Sequence, residues 1–548
     1  MGQFESKIVA AIDIGTSFSG YAYAFENDRE NIFTSSQTFG QHNDRVPTVV
    51  LLDSSVKVDS FGHEAEQKYS ELLRNKKDGE FRLFSRFKME CYSERNMTNK
   101  KIKDEKGRSM IAVKLFAAVI KYFKQLILKA MQDGKEAHLD SIEEHTLWIV
   151  TVPAIWSDAA RHIMKEAAVT AGIREEKLRL VLKPEAAVVF LRNQKHHVEY
   201  NGNLIRLAPG SKYIIADLGG ETVDICVYKR LHGDYTKELY RVTKGDFGGM
   251  SVDNEFKHFC ITIFGVQIWN KFKLDHYEDY FQLWEDFECK KRYFSAKTHQ
   301  TRFIIPDSLY LLLACEESMS LLSAVSRSPY SNFVTVEGQT LVCEKEIMEH
   351  FFTPSLSYGI IPLLKKVADE CKYIHTLILV GGYSQSQYVM NVLEAAMSEM
   401  RIVHTKEPWL ALVKGAVLMG FSPMYILKGM SRSQADPSTL SSDRVKKVAG
   451  EGNASEELTH RSHQTIQVGP STLSSDCVKE VSWEANAADD LAHPSHQTIQ
   501  ARPFTLSSEG VKEVAGKANA SDDLAHPLHQ THVSKQFRDS VNLFYLEH

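Results

Sequence analysis

Four short stretches hold residues whose types and spacing suit chemistry on phosphates. The first is Ile12-Asp13-Ile14-Gly15-Thr16-Ser17-Phe18-Ser19-Gly20. An apolar run ends in an acid, a glycine permits a tight turn, and hydroxyls follow. Such a turn can aim backbone N–H groups and hydroxyls at phosphate oxygens, and its acid can hold a magnesium ion through water. The second, Ile214-Ile215-Ala216-Asp217-Leu218-Gly219-Gly220-Glu221-Thr222-Val223-Asp224, repeats the order of apolar run, acid, glycines and threonine. Two such turns suggest a duplicated fold that grips phosphates from both sides. The third, Leu377-Ile378-Leu379-Val380-Gly381-Gly382-Tyr383-Ser384, has paired glycines that let backbone approach a ligand closely. The fourth is Trp148-Ile149-Val150-Thr151-Val152-Pro153-Ala154, leading into a helix that starts near Asp158. Singly these are weak signals, since D-x-G-T/S occurs by chance and a lone Gly-Gly turn is usually structural. Their succession along one chain carries the weight.

The elements that must position these turns are legible around them. Residues 7–14, 146–152, 213–217 and 376–380 are apolar runs of strand length. Residues 158–171 and 386–400 show helical spacing after the turns. Alternation of this kind predicts an α/β architecture. Apolar content of 43% and charged content of 25% are ordinary for a globular protein. The net charge of −5 gives no reason to expect a nucleic-acid partner. No apolar run reaches the roughly 18 residues of a membrane helix, and no signal peptide is expected at the N-terminus. The eight cysteines show no CxxC or zinc spacing, so reduced thiols in a cytoplasmic protein are expected. Met-Gly-Gln-Phe-Glu-Ser fits a myristoylation pattern at Gly2, although chance is the plainer reading. The sequons at Asn96, Asn453 and Asn519 have no role in a chain that stays out of the secretory path.

Composition changes near residue 425. Three copies of one unit recur 33 residues apart, beginning at Pro437, Pro470 and Pro503. That is also the ankyrin period, but the T-P-L-H-x-A signature and paired amphipathic helices are missing. Each unit is poor in apolar residues and cannot offset its ordering entropy by burial, so a disordered tail is expected. Its His pairs (His460 and His463, His493 and His496, His526 and His529) are read as solvated histidines in preference to metal ligands.

In this order the motifs resemble the nucleotide-binding domain of the 70-kDa heat-shock chaperones, within the actin, sugar-kinase and heat-shock superfamily. Residues 151–173 and Gly245-Asp246-Phe247-Gly248-Gly249, followed by Val252-Asp253-Asn254, are especially similar. Phe87-Lys88-Met89 and Lys414-Gly415-Ala416-Val417 look most like the divergent heat shock 70 kDa protein 12 subfamily. The resemblance covers residues 7–422. It implies an actin-like ATPase fold with two duplicated lobes around a central cleft. The first lobe would span about 1–210, the second about 211–376, with a return to the first lobe over 377–425 and the repeat tail over 426–548.

It also implies ATP or ADP with Mg2+ as ligands. Asp13, Gly15, Thr16 and Ser17 match the family's first phosphate loop, with Asp13 in the metal's water shell. Asp217, Gly219, Gly220, Thr222 and Asp224 match the second, where acids hold magnesium-bound water and position the attacking water. Gly248 and Gly249 fall in the matching Gly-Gly motif. Glu288, Lys291, Arg292 and Ser295 match the adenosine pocket, against the plainer reading of a charged helix face. Gly381 and Gly382 match the glycines beneath the nucleoside. Lys88 is the candidate for the family's catalytic lysine, with Arg86 competing.

Three departures bear on turnover. Lys183 in Leu182-Lys183-Pro184-Glu185 stands where the family has an acid before proline, and Glu185 is about 200° round a helix from it. A cation there would repel magnesium or partly replace its charge. Glu221 stands where a third glycine is usual, and the arginine expected after Gly381-Gly382 is lost from Tyr383-Ser384-Gln385. Beyond 425 no run of alternating strands suggests the family's peptide-gripping β-sandwich, and no apolar linker is visible. The expectation is therefore an ATP-binding, nucleotide-dependent interaction module with weak or absent hydrolysis. An active ATPase chaperone is the alternative, and a small-molecule kinase of the same fold a third reading.

Overall fold

The computed structural model describes residues 7–422 except 36–45, 89–99, 133–138, 194–197, 201–202, 206, 234 and 405–407, together with short strands at 425–428 and 445–447. Gly2, the three sequons, Cys91, Cys477 and the repeats with their His pairs, apart from 445–447 in the first repeat, lie outside the described residues.

Two sheets share one plan. In the first, β1 (Ile8–Ile14) pairs antiparallel with β2 (Phe18–Phe25), which pairs antiparallel with β3 (Asp28–Thr34). All seven residues of β1 are buried, so it reads as an unbroken apolar run with a single acid near its end. One face of this sheet is covered by α1 (Ala112–Gln132). On the other side of β1 lies β4 (Thr146–Val152), parallel to it with Ile8 opposite Thr146. Then comes α2 (Asp158–Thr170), whose N-terminus is capped by the Ser157 hydroxyl accepting from the Ala160 N–H at 3.2 Å. The strand β5 (Leu178–Leu182) completes the order β5-β4-β1-β2-β3 and leads directly into α3 (Lys183–Asn193).

The second sheet repeats this order and these directions. It runs through β6 (Lys212–Leu218), β7 (Val223–Arg230) and β8 (Tyr235–Lys244). Then follow α4 (Gly249–Phe264) and α5 (Tyr277–Tyr293). The strands β9 (Thr376–Val380) and β10 (Arg401–His404) add on parallel to β6, giving β10-β9-β6-β7-β8. The duplication read from the two acid-glycine turns is thus a duplication of whole sheets. Finally α6 (Leu410–Phe421) lies with α3 in one core that takes residues from both sheets, among them Val9, Ile149, Tyr213 and Val380. An apolar helix covered on all sides is what the run Leu410–Phe421 requires.

Two boundaries differ from the sequence reading. The return to the first lobe comes at α6, not at 377, because β9 pairs with β6 and β10 with β9, which keeps both strands in the second sheet. An apolar strand announces burial but not which sheet it joins. The helix expected over 386–400 ends at Ala396, because the chain must turn before Arg401 to lie beside Thr376. The second sheet also runs past residue 425: Tyr425–Lys428 pairs parallel with β8, a short apolar segment that the composition change concealed. Among the described residues no single helix is long and apolar enough to cross a membrane.

Candidate functional site

Strand β1 ends at the first turn and β6 at the second, and both turns open into one cleft of about 840 Å³. That is within the roughly 300–1,000 Å³ typical of small-molecule sites. Asp13, Gly15, Thr16 and Ser17 line it from the first lobe. Asp217, Gly219, Gly220, Thr222 and Asp224 line it from the second, and Gly381 and Gly382 close its base. Lys88, Gly249, Glu288, Lys291 and Arg292 are also in its wall. Gly248 lies behind the wall, its α-carbon against the Gly220 backbone: a Cβ there would stand 2.5 Å from the Gly220 carbonyl. Ser295 lies beyond the end of α5, its N–H donating to Thr298 Oγ1 at 3.2 Å, and does not line the cleft.

The second turn is welded to the start of α4. Gly249 N–H donates to the Gly219 carbonyl at 3.1 Å, Met250 N–H to Gly220 at 2.7 Å, and Gly248 N–H to Glu221 at 3.0 Å. This holds the positive end of α4 against the turn, a field that favours an anion nearby. The turns approach closely: a Cβ on Gly220 would stand 2.2 Å from Ser17 Oγ. Gly381 has φ +85°, and a Cβ there would stand 2.3 Å from Asp217 Oδ1. Only glycine meets both demands at that position.

Charges decide what this cleft can do. Lys183, the first residue of α3, places its Nζ 2.9 Å from Asp13 Oδ1 and 3.2 Å from Oδ2. Thr151, from the end of β4, donates its hydroxyl to Asp13 Oδ1 at 2.5 Å. Burial works to raise the Asp13 pKa, but the Lys183 and Lys88 charges and these hydrogen bonds outweigh it and hold it below the ordinary value. Burial likewise opposes the Lys183 charge, and Asp13, Asp217 and Asp224 overcome it, so that Lys183 titrates above its usual range. Across the cleft, Asp217 and Asp224 face each other in the β6–β7 register. Burial pushes Asp217 up to about 7, with Lys183 opposing and the Asp224 and Asp13 charges reinforcing it. Burial also raises Asp224, which accepts the Thr243 hydroxyl.

The side chains of Lys88 and Arg86 part at the backbone. Arg86 has φ 49°, which turns the chain after the strand Arg82–Ser85. The Arg86 guanidinium then crosses to the second lobe, 3.0 Å from Asp253 Oδ2 and over the Trp284 ring. Lys88 goes the other way: its ammonium donates to the Ile14 carbonyl beside the first turn and lies 5.0 Å from the Trp156 ring centre. Glu185 is buried and faces Arg241 at 3.7 Å. Glu221 does not turn away from the two acid-glycine turns. It accepts the Thr16 hydroxyl at 3.3 Å, spanning the two, and burial raises its pKa.

On α5, Lys291 is buried and bonds both Asp253, at 2.5 Å, and Glu288. Arg292 bonds Glu288 at 3.1 Å and lies 4.9 Å over the Phe18 ring of the first lobe. Gln385, in the place of the missing arginine, lines the cleft, and Tyr383 is buried, stacked on Phe352 with centroids 6.3 Å apart. The sequence reading does not single out Thr151, Asp253 or Trp156 as site residues. The Val252-Asp253-Asn254 motif carried a signal for Asp253, while a threonine and a tryptophan beside a Pro turn carry none.

A nucleotide fits this cleft in size, in its two anion-facing turns and in its charged α5 wall. Magnesium, which the resemblance implies, does not fit the donor set as arranged. Asp13 Oδ1 already accepts the Thr151 hydroxyl and lies 2.9 Å from the Lys183 ammonium, which donates to Oδ2 at 3.2 Å, and both donors stand on secondary structure. Among the described residues no group of three or more His, Cys, Asp or Glu could hold a metal ion directly.

Comparison with known proteins bears on the same region. A family profile described as Hsp70 protein matches residues 9–334. Heat shock 70 kDa protein 12A of Homo sapiens is 28% identical over 477 residues, covering 76% of this chain and 70% of that protein. Heat shock 70 kDa protein 12B of Homo sapiens is 29% identical over 501 residues, covering 80% and 71%. A heat shock 70 kDa protein of Emericella nidulans is 24% identical over 387 residues, covering 68% and 51%.

Proposed function

The chain belongs to the Hsp70 family, and from that premise we propose that it binds ATP and ADP in the interlobe cleft and works as a nucleotide-dependent interaction module with weak or absent hydrolysis. The observation that carries the binding half is the convergence of both acid-glycine turns and the Gly381-Gly382 turn on one cleft between two sheets of identical strand order. The hydrolysis half rests on Lys183. Turnover in a phosphate site needs charge on the transferring group to be met and an attacking water to be held by an ionised acid. Here Asp13 is committed to Lys183, and burial pushes Asp217 up to about 7, which works against its serving as that ionised acid. Binding would then act through lobe closure. Arg86–Asp253 and Arg292–Phe18 already bridge the lobes at the cleft, and a ligand that strengthens such contacts shifts the balance of open and closed forms.

One observation favours the second reading, an active ATPase chaperone: the Lys88 ammonium stands beside the first turn, where it could meet charge on a transferring phosphoryl group. Single-turnover hydrolysis separates the two. The binding claim is tested by the melting temperature of the full chain with ATP or ADP, since a ligand bound at a hundred times its Kd stabilises by roughly 2.7 kcal/mol. No shift with either nucleotide refutes it. We further place the protein in the cytoplasm, with protein partners still to be identified. Six free cysteines among the described residues support a reducing compartment, and fractionation tests it.

A further inference from the structure

We propose that the nucleotide enters this cleft without a divalent cation, the Lys183 ammonium on Asp13 supplying the positive charge that a metal would bring. This rests on the nucleotide reading above and concerns the chemical form of the ligand. Three geometric observations carry it. Lys183 Nζ meets both oxygens of Asp13, at 2.9 and 3.2 Å, and Thr151 adds a second donor and a third contact. A carboxylate offers about four acceptor positions, so little of Asp13 is left for the water shell of a metal. Second, the ammonium cannot easily leave. It stands on the first residue of α3, immediately after β5, and its side chain is 14% exposed. Moving away would strand a buried cation and a buried anion, each costly alone. Third, Lys88 is buried in the same wall, so two ammonium groups face the space beside the first turn. A divalent cation brought there would meet both at close range, where low dielectric sharpens repulsion. A metal-free nucleotide instead keeps the negative charge that a metal would neutralise, and the two lysines meet it. The fixed cation thus makes the site selective for the uncomplexed nucleotide.

The experiment uses the full chain and titrates ATP and ADP by calorimetry and by thermal shift, once with Mg2+ in excess and once with a chelator. We expect Kd in the chelator to equal that with Mg2+ within about threefold, or to be tighter. Lys183→Glu restores an acid and should make binding metal-dependent, weakening ATP by tenfold or more in the chelator relative to Mg2+. Should that variant fail to fold, the wild-type pair of titrations still decides. Binding that appears only with Mg2+ overturns the inference and leaves the nucleotide reading intact. No binding under either condition overturns both. Binding in the chelator that Lys183→Glu leaves unchanged, in a variant that melts cooperatively, removes Lys183 as the cause and overturns the inference as stated.

Discussion

Removing the Lys183 charge while keeping its stem is the most informative perturbation of this fold. Lys183→Met leaves Asp13 buried with Thr151 as its remaining side-chain partner, and it takes away a cation that also faces Asp217 and Asp224. At 2.9 Å the attraction between Lys183 and Asp13 is of the order of 6 kcal/mol with an effective dielectric near 20. Desolvation offsets part of that, and breaking a buried pair by deleting one partner costs roughly 3–5 kcal/mol. We expect Lys183→Met to destabilise by that amount at neutral pH, read as a fall in denaturant midpoint at unchanged slope. Asp13→Asn combined with Lys183→Met should recover much of the loss, since no unpaired carboxylate remains, giving a coupling energy above about 2 kcal/mol. The pH dependence has a definite sign. Asp13 is held below its ordinary value of 3.8, so its contribution is present above that pH and is lost as pH falls through the lower folded value. Without Lys183, burial acts on Asp13 with less opposition, and the acid limb of the stability curve moves to higher pH. A cost below about 1 kcal/mol together with coupling below about 0.5 kcal/mol would refute the reasoning.

Other consequences are as direct. Glu221→Gly removes the carboxylate that spans the two phosphate turns from Thr16. ATP affinity measured by calorimetry should rise about tenfold, and an unchanged Kd counts against phosphates lying between the turns. Gly381→Ala forces a side chain into φ +85° and to 2.3 Å from Asp217 Oδ1, so a loss of roughly 2–4 kcal/mol in a denaturant melt is expected. At the outer rim, burial pushes Glu66 up to about 8, the Glu285 and Glu105 charges reinforcing it and Arg86 opposing, with His63 3.6 Å away. Its folded pKa lies above its unfolded value near 4.5, so the stability it contributes is full below that pH and is lost as pH rises toward 8. The loss is roughly 4 kcal/mol, and Glu66→Gln should flatten the decline in melting temperature over that range. An equally steep decline in the variant would show that other groups drive it.

The local features of the site were legible because each is a short-range pattern. A buried strand ending in an acid and followed by glycine is set by neighbours a few residues apart, so both acid-glycine turns and the Gly381-Gly382 turn are legible as turns that follow strands. The alternation of strands and helices likewise gave the α/β class. Less legible was anything decided by a partner distant in sequence. The helical spacing over residues 386–400 overruns the helix, which ends at Ala396, because that end is set by the pairing of Arg401 with Thr376. The side chains of Arg86 and Lys88, two residues apart, part company because of one positive φ angle that no local pattern announced.

The amino-acid order alone determined that two acid-glycine turns repeat, that a lysine stands where the family carries an acid, and that Glu221 displaces a glycine. It could not say where those charges go. Lys183 reaches an aspartate 170 residues away, and Glu221 reaches a threonine 205 residues away. Whether Lys183 repels a metal or replaces it depends on that placement, because electrostatic energy follows distance and burial, which exist only once the two sheets have closed around the cleft.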